Sequence, residues 1–380
     1  MAIWQGSMES LDLMAIEASY PPKCGEGRKP NPAFWRDKRV FLTGHTGFKG
    51  GWLTLWLSIL GAKVTGYALP PSTHPSFFSA LNLERYLTRS HLSNIHDYPS
   101  LEAALTSANP EIILHLAAQP LVRRSYAEPL ETYQTNVMGT ANLLQAARNS
   151  VAVQAIVVVT SDKCYENQAA WPWGYRETDT LGGYDPYSNS KACQELVVSA
   201  FRQSYLQEKG VAIATARAGN VIGGGDWSED RLIPDAMRAY ATKACLTIRS
   251  PQATRPWQHV LEPIAGYLVL AEQLFTSPSF VGGWNFGPQD SDVRTVEEVL
   301  KLTSERLPGG LQWQADTGTQ PHEALLLKLD CSKSMSRLGW KPQWTLEEAL
   351  AHTCDWYERC LTEQPMDEIS QSQIAIYSKQ

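Results

Sequence analysis

Between Lys38 and Ala218 short apolar runs return at intervals that leave room for a helix each time: RVFLT at 39–43, KVTGY at 63–67, EIILHL at 111–116, QAIVVV at 154–159 and VAIATAR at 211–217. An unbroken apolar run suits a strand buried on both faces, and strands separated by helices come out parallel. Helical periodicity fills three of the gaps, at 51–60, 130–148 and 187–209. In the last of these Ala192, Leu196, Val197, Ala200, Phe201 and Tyr205 form one apolar stripe. The pattern predicts an α/β fold, a doubly wound parallel sheet with helices on both faces. Beyond Ala218 the rhythm stops, and Gly, Pro, Trp and Asp crowd 219–256, as expected of a smaller lobe built from loops and short helices.

The first run leads straight into glycines, in RVFLTGHTGFKGGWL. Gly44 permits a tight turn, Gly47 lets the backbone approach a pyrophosphate, and Gly50 lets helix and strand pack closely. The amides of Phe48 and Lys49 then face an anion at a helix N-terminus. A strand, a glycine turn and a helix in that order predict a dinucleotide site. The second run ends in GYALPPST, with neither an acidic residue for ribose hydroxyls nor a close cation for a 2′-phosphate. NAD is therefore expected rather than NADP, held without the usual carboxylate.

Four segments follow from this: a flexible extension over 1–32, a dinucleotide-binding domain over 33–218, a lobe over 219–365 that sends some segments back to the first domain, and a polar tail over 366–380. The extension ends in YPPKCGEGRKPNPAF, whose Pro, Gly and Lys content resists ordering. A net charge of -6 without clustered Lys and Arg argues against a nucleic-acid or membrane-surface footprint. Seven scattered cysteines, none in a CxxC pair, argue against a disulfide framework and a zinc site, and His45, His115 and His259 have no metal-ligand spacing. A reducing cytoplasm fits. No stretch is long and apolar enough to span a bilayer, and the opening lacks the pattern of a secretion signal.

YDPYSNSKACQE sets Tyr187 and Lys191 four residues apart at a helix start, on one face and within mutual reach. A phenol works as a base near neutrality only if its pKa is lowered, and an ammonium beside it does that. The run at 154–159 ends abruptly in VTSDKCYEN, where Ser161, Asp162 and Lys163 stand side by side although charge at the end of a buried strand risks desolvation.

The glycine turn, the strand-end hydroxyl and the YxxxK pair together resemble the extended short-chain dehydrogenase/reductase superfamily. The resemblance narrows along FWRDKRVFLTGHTGFKGGWL, LAAQPLVRRSY, TNVMGT, TSDKCYEN, GGYDPYSNSK, RAGNVIGGGDW, DRLIPD, TRPWQHVLEP and WNFGP, in order from 34 to 357. This series is similar to the CDP-glucose 4,6-dehydratase family, and it implies a Rossmann fold, NAD, CDP-glucose as substrate and a homodimer or homotetramer. In that family Ser161, Asp162 and Lys163 occupy the positions beside the nicotinamide. Tyr187 would take the C4 hydroxyl proton, Asp162 would be the acid at C6 and Lys163 the base at C5, while Lys191 supports the phenol.

The resemblance further implies that Gly44, Thr46, Gly47, Phe48, Lys49, Gly50, Asn94, Ile95 and Ala117 line the cofactor with Tyr187 and Lys191. Asn220, Arg231, Arg255 and Trp257 would hold the nucleotide sugar, with Asn136 ordering the site. Asn94 stands where the family has an acid toward adenine. Two rival readings stay open: an epimerase on the same scaffold, which would not need Asp162 and Lys163, and a non-catalytic NAD-binding scaffold, which would not need Tyr187 and Lys191.

Overall fold

A computed structural model describes residues 27–167, 173–316, 318 and 327–379. Seven strands form one parallel sheet: β1 (Arg39–Thr43), β2 (Lys63–Ala68), β3 (Arg89–Leu92), β4 (Ile112–His115), β5 (Ala155–Val159), β6 (Ala212–Ala218) and β7 (Gly282–Phe286). Their order is β7-β6-β5-β4-β1-β2-β3, so the chain winds one way from β1 to β3 and the other from β4 to β7. The reversal between β1 and β4 opens the crevice in which such sheets bind ligands. Every residue of β4, β5 and β6 is buried, as unbroken apolar runs demand. The two strands that the apolar runs do not announce are β3, an edge strand of sequence RSHL, and β7, whose GGWNF opens on two glycines.

The helices are α1 (Phe48–Ile59), α2 (Tyr98–Ala108), α3 (Gly139–Asn149), α4 (Pro186–Phe201), α5 (Leu232–Thr242), α6 (Leu261–Thr276), α7 (Val296–Arg306), α8 (Leu346–Leu361) and α9 (Met366–Lys379). A short helix at Pro129–Tyr133 and a π-turn at Gln134–Met138 lead into α3, while a π-turn at Arg202–Leu206 lengthens α4. Two hydrophobic cores flank the sheet, and a smaller one, with Ala236, Leu246 and Leu300, lies in the small lobe. One joins a sheet face to α1, α6, α8 and α9 through residues such as Trp52, Leu261, Leu268, Trp356 and Ile374; the other joins the opposite face to α2, α3 and α4 through Leu101, Leu143 and Val198.

The two ends of the chain differ from the sequence expectation. Residues 27–32, assigned to a flexible extension, are tied down: the Arg28 amide donates to the Gly339 carbonyl at 2.7 Å, and the Asn31 amide to Glu272 Oε1 at 2.7 Å. The Trp35 indole donates to the same oxygen. Residues 1–26 lie outside the described part. The expected polar tail is the helix α9, which buries Met366, Ile369, Ser370, Gln373, Ile374 and Tyr377. Those positions recur every three or four residues, and because two of the six are polar the stripe does not register as hydrophobic.

The small lobe is stitched by pairs of very short strands. Val221–Ile222 pairs with Gln258–His259, and Thr254–Pro256 pairs antiparallel with Val293–Thr295. They bring Asn220, Arg255 and Trp257 to the carboxyl ends of the sheet. No helix among the described residues is long and apolar enough to cross a membrane.

Candidate active site

The turn after β1 is built as a dinucleotide cradle. Gly44 has φ of +78°, where a side chain is strained, and a Cβ there would lie 2.8 Å from the Ala117 nitrogen. A Cβ on Gly50 would lie 2.0 Å from the Gly44 carbonyl oxygen, so only glycine lets α1 approach the turn. Gly47 is the N-cap of α1 and offers no side-chain cap, which leaves the amides at the helix start for an outside acceptor. These features fit a bound dinucleotide pyrophosphate. Behind the turn, the Thr46 hydroxyl donates to the Leu69 carbonyl at 2.8 Å and pins the turn to the end of β2.

Helix α4 starts with Asp185 as N-cap, whose carboxylate accepts from the Ser188 amide at 2.9 Å and from its hydroxyl at 2.5 Å. Pro186 occupies the first turn, and the Tyr187 amide donates to Ser125 Oγ at 3.1 Å. These contacts fix where the phenol stands. β5 ends one step before Thr160, and Ser161 then caps a turn of 3₁₀-helix over Asp162–Cys164. The Ser161 hydroxyl donates to Asp162 Oδ1 at 3.0 Å and accepts from the Lys163 amide at 3.2 Å, and it acts on the nearby Tyr187 phenol to lower its pKa. Phenol, hydroxyl and carboxylate therefore share one buried neighbourhood.

Burial pushes the Tyr187 phenol up to about 12; the Ser161 hydrogen bond pulls it down, the Asp162 charge pushes it up, and the Arg231 charge pulls it down. Burial lowers Lys191 to about 7, with the Lys49 charge helping and Glu195 opposing. Lys49, at the second position of α1, falls to about 8 through burial and the Arg231 charge, against Asp162 and Asp226. Three cations, Lys49, Lys191 and Arg231, thus share one electrostatic neighbourhood with Tyr187 and Asp162.

Asp162 is 2% exposed and its Oδ2 has no hydrogen-bond partner. A buried carboxylate oxygen left open in this way awaits a group that the protein does not supply. Gly219 makes room for it, since a Cβ there would sit 2.9 Å from Oδ2 and 2.7 Å from Pro256 Cγ. Lys163, next along, is half-buried.

The sequence family described as GDP-mannose 4,6 dehydratase matches residues 41–353 of this chain, across the cradle, the strand-end trio and the Tyr-Lys pair. The chain belongs to the nucleotide-sugar 4,6-dehydratase family. It is 49% identical over 350 residues to the CDP-glucose 4,6-dehydratase of Salmonella typhimurium, covering 90% of this chain and 97% of that protein. It is 26% identical to the dTDP-glucose 4,6-dehydratase of Haemophilus influenzae, over 84% of this chain and 97% of the relative. Among solved structures, the UDP-glucose 4-epimerase of Thermotoga maritima with UDP-glucose aligns with TM-score 0.74 at 22% identity, over 85% of this chain and 99% of that one. MoeE5 in complex with UDP-glucose and NAD aligns with TM-score 0.72 at 23% identity, over 85% and 99%. The last two show the fold.

Within this dehydratase the other expected site residues divide by what they touch. Asn136 is fully engaged by protein: Oδ1 accepts from the Gln119 amide at 2.8 Å, and Nδ2 donates to the Gln119 carbonyl at 3.1 Å and to Ser190 Oγ at 2.8 Å. Asn136 thereby ties the loop after β4 to α4. The Trp257 ring lies in the core and its indole donates to the Arg294 carbonyl at 3.1 Å. Asn94 gives Oδ1 to the His96 amide at 3.0 Å, Ile95 is buried against Gly139, and the Ala117 amide turns inward to Thr43 Oγ1 at 3.1 Å. Phe48 packs its ring toward Gly223 of the small lobe.

Arg231 precedes α5 and donates to Asp226 Oδ2 at 2.8 Å, while Asn220 at the end of β6 is half-buried. Arg255 is buried, one residue from the Pro256 that flanks Asp162. Asp226 and the Lys49 side chain escape the motif reading. Asp226 sits in GGGDW five residues before Arg231, a spacing with no meaning in a helix or strand, and Lys49 is assigned there for its amide alone.

Proposed function

We propose that this chain converts CDP-glucose to CDP-4-dehydro-6-deoxyglucose with NAD, losing water without net redox. The observation that carries the reading is the buried grouping of Tyr187, Ser161 and Asp162 at the end of β5, with the Ser161 hydroxyl on one Asp162 oxygen and the other oxygen open. The Salmonella relative's name supports CDP-glucose as the substrate. NAD, held in the glycine cradle by the amides at the start of α1, supplies an acceptor that takes a hydride from the sugar and gives it back.

Tyr187, as the phenolate, receives the proton of the C4 hydroxyl as that carbon becomes a ketone. The ketone acidifies the C5 hydrogen, which Lys163, as the neutral amine, removes as a base. Asp162, entering the step protonated, gives its proton to the departing C6 hydroxyl, so water leaves and a C5–C6 double bond remains. The Lys163 ammonium then returns a proton to C5 as the product forms. An epimerase would need the first of these steps only, and the Asp162–Lys163 pair favours elimination over that alternative. Arg231 and Arg255 are the cations for the substrate diphosphate, with guanidinium geometry suited to phosphate oxygens.

Two coarser matters belong to the same reading. The six described cysteines are all free, which supports a cytoplasmic enzyme. Leu130, Met138 and Leu196 expose apolar side chains around α3 and α4, which supports a homodimer or homotetramer joined there. Sedimentation analysis checks the latter. Function is checked by incubating the purified protein with CDP-glucose and NAD and reading the 4-keto sugar by its absorbance in strong alkali. A sugar recovered as its C4 epimer, or unchanged, would overturn the proposal.

A further inference from the structure

Behind the Tyr-Lys pair runs a buried polar chain that no motif announces. Lys191 Nζ donates to the Val159 carbonyl at 3.3 Å and to Gln194 Oε1 at 2.9 Å. Gln194 Nε2 donates to Thr140 Oγ1 at 2.7 Å, and the Thr140 hydroxyl donates to the Asn136 carbonyl at 2.7 Å. Since the only Thr140 hydroxyl hydrogen is committed there, His115 Nε2, 3.0 Å away, must carry a proton and donate. His115 Nδ1 is then an acceptor and takes the Thr43 hydroxyl at 2.7 Å, while Thr43 Oγ1 accepts the amides of Leu116 and Ala117 at 3.1 Å. Donors and acceptors match at each of these links. Gln194 is 1% exposed, and Thr43, His115 and Thr140 are 0% exposed.

The matching fixes the direction of the Gln194 amide. Flipped, it would aim its NH2 at the ammonium and its oxygen at Thr140, whose hydrogen is already committed. Its oxygen therefore faces Lys191, and with Val159 it holds two of the three N–H groups of the ammonium. The third N–H is engaged by neither of these acceptors.

We propose that Gln194 is a positioning residue that aims the Lys191 ammonium at the reaction centre and favours its charged form. This deepens the dehydratase reading and rests on it for its kinetic consequence. The titratable groups acting on Lys191 are Lys49 from α1, Glu195 on its own helix, Cys164 from the turn after β5, whose thiol burial pushes up and keeps neutral, and His115 from β4. Burial holds His115 near 3, so it stays neutral and none of its charge is switched on near neutrality.

The test compares wild type, Gln194→Leu and Gln194→Glu. Removing a hydrogen bond to a charged group should lower kcat about 10- to 100-fold with KM for the nucleotide sugar little changed. A less charged Lys191 supports the phenolate less, so the acid limb of the pH–rate profile should move to higher pH. Gln194→Glu, which returns an acceptor with a charge, should move that limb back. Independently of turnover, lysine labelled with carbon-13 and assigned by Lys191→Met should show the Lys191 titration displaced to lower pH in Gln194→Leu. An unmoved titration overturns the inference, as does a fall in kcat that tracks lost melting temperature with an unmoved pH profile. Wild type that does not dehydrate CDP-glucose overturns the functional reading instead, and the titration still decides the role of Gln194.

Discussion

Arg231 Nη1 donates to Asp226 Oδ2 at 2.8 Å, and through that pair a loop of the small lobe delivers a positive charge that acts on the Tyr187 phenol of the large one. Asp226 is 2% exposed, and its backbone carbonyl also receives the Tyr357 hydroxyl from α8. The pair is held within the small lobe, so its reach to the large one is electrostatic.

Weakening that link should show in binding and in proton transfer together. Asp226→Asn keeps the shape and removes the charge that orients Arg231. The expected result is a KM for the nucleotide sugar raised about ten-fold, the size of one charge-assisted hydrogen bond. The acid limb of the rate profile should move to higher pH, because the cation that lowers the phenol is no longer held in place. Steady-state kinetics across pH check both.

Elimination should separate from oxidation when the strand-end trio is changed. Lys163→Met leaves Tyr187, Lys191 and the cradle untouched, so oxidation at C4 should persist and be visible as nicotinamide absorbance in a single turnover. Exchange of the C5 hydrogen with deuterium from solvent should fall by at least about 100-fold, the scale of a lost general base. Asp162→Asn should retain the exchange and lose release of the C6 oxygen. Product formed at the normal rate by either variant contradicts its assigned role.

Two buried carboxyl groups on α6 predict how stability depends on pH. Burial raises Glu262 to about 7 against the hydrogen bonds from Trp344, Tyr377 and Gln343, and raises Glu272 to about 7 against those from Asn31 and Trp35. A folded-state pKa above the unfolded value of 4.5 means that the native form holds the proton more tightly. The contribution is fully present below pH 4.5, declines as pH rises from there toward 7, and is lost above it, on the order of 3 kcal/mol for each group. Glu262→Gln and Glu272→Gln cannot lose a proton. Their stability relative to wild type, from urea unfolding, should therefore improve from mildly acidic to mildly alkaline buffer. A pH-independent difference would contradict the assignment.

The cradle admits no side chain where α1 meets the turn. Gly50→Ala places a methyl group 2.0 Å from the Gly44 carbonyl oxygen, a contact with backbone on both sides that neither partner can relieve by rotating a side chain. Fluorescence titration should show NAD affinity reduced at least about ten-fold, and unfolding should show a loss of about 2 kcal/mol or more. Gly47→Ala, whose Cβ would meet the Gly44 oxygen at an ordinary 3.4 Å, is the control that should be milder in stability.

Much of the sheet was legible because β1, β4, β5 and β6 are buried on both faces and so read as apolar runs. β3 escaped because an edge strand is free to carry Arg89, Ser90 and His91, and α9 escaped because Ser370 and Gln373 interrupt its apolar stripe. Each of these two polar residues finds a buried partner only after folding, Ser370 with the Trp356 indole and Gln373 with the His352 carbonyl.

By itself the sequence determined what short-range geometry dictates: that Tyr187 and Lys191 share a helix face, that Gly44, Gly47 and Gly50 make a turn, and that Ser161, Asp162 and Lys163 end a strand. One turn of helix or one strand end has a fixed pitch, so such relationships survive any tertiary arrangement. Only the tertiary structure decided that Lys49, Asp226 and Arg231 converge on that pair from a helix and a loop far apart in the chain, and that Asn136 supports the site from behind. Those contacts depend on the order of strands in the sheet and on how the small lobe closes over their ends, neither of which is encoded in the spacing of residues along the chain.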